Sequence, residues 1–269
     1  MTTAGGDTAM EWIEAQQYSN HTIQRTQAVI IRELSLDVFV DGEKIVSTAC
    51  TGNHVEELAI GFLFSEGLIR TREDIAGAEI SEDGRGIHFA RVHSCATKDD
   101  AINRPGKERS IASSGARSSR MSHRLVPLKR GRSDSLTIAP AVACSLMDDM
   151  IARAVLHEKT RGTHCAALAD QSGIIIVRED IGRHNAVDML AGYMLIHHMD
   201  ASEKMIVRTG RISAEIIHKI WNMGIPIVIS ISVPTTAAIH LAKEAGMTVI
   251  GSVRGDQMVI YNHEERVRI

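Results

Sequence analysis

From residue 165 onward, short apolar runs alternate with segments of helical period, and this alternation limits the fold more than any other feature of the chain. Runs at 165–169, 173–177, 205–207, 225–231, 248–251 and 258–261 have strand length, while 186–198, 212–223 and 235–245 place apolar residues at helical spacing. The run 173–177 is read as the hairpin partner of 165–169. Strands separated by helices of this length predict an α/β fold, a largely parallel sheet with helices on both faces. A further helix runs from Pro140 to about Leu156.

The first half reads differently. Residues 34–40 alternate apolar and polar, Asp41-Gly42 marks a hairpin turn, and Ile45-Val46 returns. Asn53 is a candidate helix cap, with Glu56 three residues on. The helix 55–66 puts Leu58, Ala59, Phe62 and Leu63 on one face and stops at Gly67. Residues 75–92 form a second strand pair around Asp83-Gly84. The predicted organisation is a flexible lead-in (1–26), a small β-rich subdomain (27–135) and an α/β domain carrying the site (136–269).

Residues 93–135 break the pattern. Between Arg104 and Arg132 there are nine Lys or Arg and one acid, a net of +8, so the rest of the chain carries −11 against a total of −3. This is either a solvated basic loop or a mobile arm that draws in an anion. Its near-absence of aromatic residues argues against a platform for single-stranded nucleic acid. The overall charge predicts no general affinity for nucleic acid. With 44% hydrophobic and only 3% aromatic residues, the core must be aliphatic and rich in Met. No apolar run reaches 18 residues, and residues 1–20 lack the apolar stretch of a secretory signal. Cys50, Cys95, Cys144 and Cys165 show no CxxC or zinc spacing, so a cytoplasmic protein with reduced thiols is expected and no membrane contact.

The polar residues of the α/β half gather at its strand-to-helix junctions. Glu179-Asp180-Ile181-Gly182-Arg183-His184-Asn185 follows one strand, Thr209-Gly210-Arg211-Ile212-Ser213 a second, and Ser230-Ile231-Ser232-Val233-Pro234-Thr235 a third. In a wound sheet such junctions share one edge, where helix N-termini favour anions. The first can be a salt-bridged helix start capped by Asn185 or Asp180, or it can be a ligand site. With Ser252-Val253-Arg254-Gly255-Asp256-Gln257, the junctions supply Arg183, Arg211 and Arg254, whose guanidinium forks suit phosphate. Together they predict a site for a nucleotide or another phosphorylated ligand. His164 is either an acid–base group or a partner for core backbone. His164 and His184 lack a third ligand at standard spacing, so no bound metal is expected. Neither a GxSxG elbow nor a Walker sequence is present.

Several stretches resemble the formate dehydrogenase accessory sulfurtransferase family (FdhD/NarQ). They are Asn53-His54-Val55-Glu56-Glu57-Leu58-Ala59-Ile60-Gly61-Phe62-Leu63 with Ser65-Glu66-Gly67, then Gly162-Thr163-His164, and the run from Arg178 to Asp188 containing Glu-Asp-Ile-Gly-Arg-His-Asn-Ala-Val-Asp. Gly210-Arg211-Ile212-Ser213-Ala214-Glu215 with Lys219, Pro234-Thr235, and Ser252 to Gln257 followed by Met258 and Tyr261 complete the set. The resemblance spans about residues 33–265 in order. It implies a cytidine-deaminase-like three-layer sandwich without the deaminase zinc ligands, and a homodimer. It also implies sulfur transfer from a cysteine desulfurase to the molybdenum bis(molybdopterin guanine dinucleotide) cofactor before delivery to the formate dehydrogenase catalytic subunit. GDP or GTP would mimic a fragment of that cofactor, and the protein itself would hold no metal. The cofactor-binding residues implied are Ser252, Val253, Arg254, Gly255, Asp256 and Gln257, with His164, Glu179, Asp180, Arg183, His184, Asn185, Arg211, Ser213, Ser230, Ser232 and Thr235 around them.

One departure falls on the chemistry. The family carries sulfur as a persulfide on a loop cysteine, and the matching stretch here, Ile111-Ala112-Ser113-Ser114-Gly115-Ala116-Arg117-Ser118-Ser119, has none. Ala116 falls at the cysteine position, or Ser114 and Arg117 under a CxxC register; none of these can form a persulfide. Ile231 also stands where the family usually has Arg. Cys95, at the base of the same loop, is the first substitute and Cys165 the second. Otherwise the chain is a non-catalytic cofactor-binding chaperone, or its sequence was altered at the loop. A deaminase-like hydrolase is a third reading, opposed by the missing Cys-x-x-Cys metal pair.

Overall fold

Asn20 and His21 both adopt left-handed backbone (φ 49° and 61°) and reverse the chain between β1 (Met10–Ser19) and β2 (Thr22–Ile31). This computed structural model describes residues 9–92, 110–111 and 136–269. Residues 10–26, expected as a frayed lead-in, are therefore an ordered antiparallel ribbon. Its support is cross-strand: Trp12 faces Val29 and Tyr18 faces Ile23, the aromatic–aliphatic pairing that stabilises such ladders. An Asn-His turn carries no glycine signal, which is why the sequence pattern hides it.

The next sheet has the order β5-β6-β3-β4-β7. It comprises β3 (Leu34–Val40), β4 (Glu43–Cys50), β5 (Ile75–Ile80), β6 (Gly86–Arg91) and β7 (Ser110–Ile111). As expected, Asp41-Gly42 turns β3 onto β4 with two positive φ values, 53° and 81°. The alternation buries Leu36, Val38 and Val40. α1 (Val55–Ser65) follows β4 and ends before Gly67 at φ 71°. Its cap is not Asn53: His54 takes that position in left-handed conformation with no side-chain cap bond.

The second half adds α2 (Pro140–Arg153), α3 (Val155–Thr160), β8 (His164–Asp170), β9 (Gly173–Asp180), α4 (Arg183–Ile196), β10 (Met205–Arg208), α5 (Ala214–Asn222), β11 (Ile227–Ser230), α6 (Thr236–Ala245), β12 (Thr248–Arg254) and β13 (Gln257–Asn262). The helix expected over 140–156 breaks at Ala154, because the Glu179 carboxylate caps α3, accepting from the Leu156 and His157 amides at 3.0 and 2.6 Å. A cap supplied from a strand two elements away is invisible to a local reading.

The sheet order is β13-β12-β11-β10-β8-β9. Only β10, β11 and β12 run parallel; β8, β9 and β13 join antiparallel. The expected largely parallel sheet is thus a mixed one. Crossover helices α5 and α6 keep the three central strands parallel, while tight turns at 171–172 and 255–256 reverse the outer ones. Helices cover both faces. Ala166, Leu168, Ile206, Val228 and Val249 pack with α4, α5 and α6, whereas Ala167, Met205, Val207, Ile227, Ile229 and Ile250 pack with α2. The first of these cores continues through α1 into β3 to β6, so one hydrophobic mass holds both sheets. No helix among the described residues is long and apolar enough to cross a membrane.

The two sheets meet where α1 crosses α4. A Cβ built on Gly61 would overlap the Asp188 carbonyl, and one on Gly192 would overlap the Glu57 carbonyl. Reciprocal glycines let the two backbones touch, so neither helix can be withdrawn without losing the core between them.

Candidate functional site

The register fixes which strand ends meet. Arg208 pairs with Ser230 on one side and Ala166 on the other, and His164 pairs with Asp180. The carboxyl ends of β9, β10, β11 and β12 and the amino end of β8 therefore share one edge. There the N-termini of α4, α5 and α6 converge, bringing three partial positive charges. The structure brings together His164, Arg183, His184, Arg211, Ser213, Ser230, Ser232 and Thr235 along this edge.

Arg208 lies at its centre, and the sequence reading missed it. It is 1% exposed, and neither Nε nor Nη1 has a hydrogen-bond partner among the described residues. The Nε of Arg183 is buried and unpartnered as well. Gly210 holds the two side chains together: a Cβ there would stand 2.8 Å from Arg208 Nη2 and 3.2 Å from Arg183 Cβ. Burial first, then the charge of Arg183, lowers the Arg208 pKa to about 9, so it remains charged at neutral pH. The available signal was a single arginine after three apolar strand residues and before Thr209-Gly210, at a carboxyl end.

The histidines report the same field. Burial lowers the pKa of His164, helped by Arg208, Arg183, His157 and Arg211. Burial, then Lys219, Arg183, Arg208 and His164, holds His184 down at about 3. His184 Nε2 lies 3.1 Å from Glu215 Oε2, but out of line for a hydrogen bond. Both rings are neutral at physiological pH and can donate or accept, while the charge is left to the guanidinium groups.

The acids expected to shape the pocket face elsewhere. Glu179 caps α3 and stands 3.8 Å from Cys165 Sγ. Asp180 is 0% exposed and accepts from Thr51 N and Oγ1, Gly182 N and Asn185 Nδ2 at 2.9, 3.2, 2.9 and 2.7 Å. Asn185 also donates to the Ala49 carbonyl at 2.8 Å. These three tie the junction to the first sheet and to α3, so their role is structural, but not as the expected salt-bridged cap: Gly182 is the N-cap of α4, with no side-chain cap bond from Asn185 or Asp180. The hydroxyls also serve the backbone. Ser213 and Thr235 cap α5 and α6, and Ser230 donates to the Gly210 carbonyl at 2.9 Å.

Residues 252–257 span the end of β12, the 255–256 turn and the start of β13. Ser252 is left-handed at φ 54° and donates its amide to the Ser232 carbonyl at 3.0 Å. Val253 is buried, whereas Arg254, Gly255, Asp256 and Gln257 are exposed. Two strand spacings, about 10 Å, separate β12 from β10, so Arg254 stands at the rim and Arg208 at the floor.

Among the described cysteines, Cys50, Cys144 and Cys165 are all buried and free. Burial raises all three thiols, Cys50 to about 12. Cys95, Ser114, Ala116 and Arg117 lie outside the described residues. Among those described, no group of three or more His, Cys, Asp or Glu could hold a metal ion.

Below neutral pH the response of stability is governed by two opposed shifts, those of His184 and Asp180. Unfolded, His184 titrates near 6.5; folded, it titrates near 3. The unfolded chain therefore binds the extra proton below pH 6.5, and stability falls as pH drops towards 3. Asp180, raised by burial from 3.8 to about 6 despite its four hydrogen bonds, acts oppositely and loses stability as pH rises through that window. The histidine shift is the larger. His184→Gln is expected to shrink the stability difference between pH 7 and pH 4 by on the order of 3 kcal/mol. Urea unfolding at both pH values measures it; equal differences in the two proteins would refute the assignment.

The fold and this edge define a mixed α/β protein with a cation-lined strand edge. The FdhD/NarQ family model matches residues 31–268. A protein named sulfur carrier protein FdhD from Bacillus subtilis (strain 168) is 34% identical over 254 residues, covering 94% of this chain and 95% of that one. Its namesake from Geobacillus kaustophilus is 36% identical over 262 residues, covering 94% and 95%. The chain belongs to the FdhD/NarQ family. The crystal structure of a putative formate dehydrogenase accessory protein from Desulfotalea psychrophila has the same fold, with a TM-score of 0.77 at 20% identity over 97% of this chain and 100% of that one.

Proposed function

We propose that this protein is a sulfur carrier in formate dehydrogenase maturation, active in the cytoplasm as a homodimer. It accepts sulfur from a cysteine desulfurase and passes it to the molybdenum bis(molybdopterin guanine dinucleotide) cofactor, which then enters the dehydrogenase catalytic subunit. Family membership and the names of its relatives support the sulfur-carrier role. Helices on both faces of the mixed sheet support the cytidine-deaminase-like reading of the fold.

The observation that carries the ligand is the edge itself. A dinucleotide cofactor bears phosphates and guanine bases. Arg183, Arg208 and Arg211 offer guanidinium forks beside helix N-termini, and Arg254 with Asp256 stands at the rim, where a carboxylate can accept from guanine N–H groups. Cofactor carriage needs no metal ligand from the chain, since the molybdenum arrives with its pterins.

The sulfur chemistry needs a thiolate. Buried thiols with raised pKa do not supply one, which sets aside Cys50, Cys144 and Cys165 and leaves Cys95 of the chain's four cysteines. The Cys95 thiolate attacks the outer sulfur of the desulfurase persulfide. A new S–S bond forms on Cys95, and the desulfurase cysteine leaves as thiolate. After incubation with a desulfurase and cysteine, mass spectrometry should find a gain of about 32 Da on the Cys95 peptide, one sulfur by exchange, and none in Cys95→Ser. No adduct on any cysteine would sink the carrier reading. It would leave the second reading, a non-catalytic cofactor chaperone, which the absence of cysteine from residues 111–119 favours.

A further inference from the structure

We infer that Arg208 is a buried cation whose counter-ion is the ligand's own phosphate, so that occupancy of the edge and stability of the fold are coupled. This rests on the reading of the edge as a site for a phosphorylated ligand, and it names the group recognised at the floor. No carboxylate is among the charges that act on Arg208, and those of the adjoining junctions are engaged elsewhere or half-exposed. Glu179 caps α3, and Asp180 holds Thr51, Gly182 and Asn185. Asp188 receives Lys219 at 2.7 and 2.9 Å and Ser65 at 2.6 Å. Glu215 is half-exposed and lies against His184. The neighbours left to Arg208 are cationic or neutral: Arg183, His164 and His184.

A guanidinium with two orphaned nitrogens and no acid is a costly thing to bury. Folds do not tolerate it without a return, and a tetrahedral dianion presenting two oxygens to the fork supplies one. The unpartnered Nε of Arg183 and the unaligned Nε2 of His184 belong to the same cluster and can serve the remaining oxygens. Recognition at the floor is therefore of phosphate or diphosphate, independent of the base, and base selection belongs to the rim.

The test is thermal unfolding of the full chain with pyrophosphate, against chloride at matched ionic strength, and with GDP in parallel. Wild-type protein should gain about 5 °C at a hundredfold excess of pyrophosphate over its Kd, rising with the logarithm of its concentration. Arg208→Met should melt about 3 °C or more above wild type without anion, because the uncompensated charge is gone, and should show no pyrophosphate shift. Should Arg208→Met fail to fold, Arg208→Lys keeps the charge without the fork and should bind pyrophosphate about tenfold or more weakly by calorimetry. No shift in wild type beyond that of chloride, equal shifts in wild type and Arg208→Met, or undiminished binding by Arg208→Lys overturns the inference. GDP binding that Arg208→Met leaves intact overturns it while sparing the cofactor reading. A pyrophosphate shift that needs Arg208, with no GDP binding, upholds the inference and removes the guanine cofactor.

Discussion

Gly192→Ala is expected to leave little folded protein. The added methyl would occupy the space of the Glu57 carbonyl, and a backbone atom in the first turn of α1 cannot rotate away as a side chain would. Either the helices part, losing the contacts of Leu58, Leu190 and their neighbours in the shared core, or the first turns of α1 distort. Ordinary overpacking costs about 1–3 kcal/mol; a clash with backbone on both sides of a helix crossing should exceed about 4 kcal/mol, the range reserved for broken architecture. Gly61→Ala should behave alike, since its methyl meets the Asp188 carbonyl. Gly77→Ala, with nothing near its Cβ position, is the control. Circular dichroism melts of the three variants decide it, and a Gly192→Ala protein melting within a few degrees of wild type would show that the crossing can relax.

The second large effect concerns the ion pair beneath that crossing. Arg178 Nε and Nη2 reach Glu57 Oε2 and Oε1 at 2.5 and 2.7 Å, and its Cζ lies 5.3 Å from the Tyr193 ring centroid. Both side chains are largely buried. Glu57→Ala strands the guanidinium, and removing one partner of such a pair costs about 3–5 kcal/mol. The double variant Glu57→Met, Arg178→Met removes both charges and should recover most of that loss. Urea denaturation of the single and double variants measures the difference. If the double variant is no more stable than Glu57→Ala, the stranded charge is not what the single variant suffers from.

Much of this architecture could be read from the residues. Alternation in 34–40, the Asp41-Gly42 turn, the glycine stop at Gly67 and the strand–helix succession after residue 165 are local signals, and local physics honoured them. The junctions do share an edge, because parallel β10, β11 and β12 end together. What escaped depended on distant partners. The ribbon of β1 and β2 is stabilised by pairs across the turn, with only weak signals in either strand. The break at Ala154 comes from Glu179, and the Thr51 bonds to Asp180 join residues 129 apart in the chain. At the edge, residue type alone could not separate a carboxylate that faces ligand from one that secures the fold. Glu179 and Asp180 look equally available in sequence, yet the alternation of β9 turns one towards α3 and the other towards Thr51. Arg208 escaped for the converse reason: a lone arginine ending an apolar strand looks unremarkable until its burial and lack of partners are seen.

The interlocked glycines of α1 and α4 also bear on how a large ligand gains entry. A clamshell motion needs an interface that can slide or swing, and backbones in contact at Gly61 and Gly192 offer neither. The bonds from Thr51 and Ala49 to Asp180 and Asn185 fasten the first sheet to the junction that opens α4. Among the described residues, these contacts and the shared core join the two sheets at the crossing. Were the proposed cofactor to bind at this edge, room for it would have to come from the exposed rim, at the β12–β13 turn, rather than from a parting of α1 and α4.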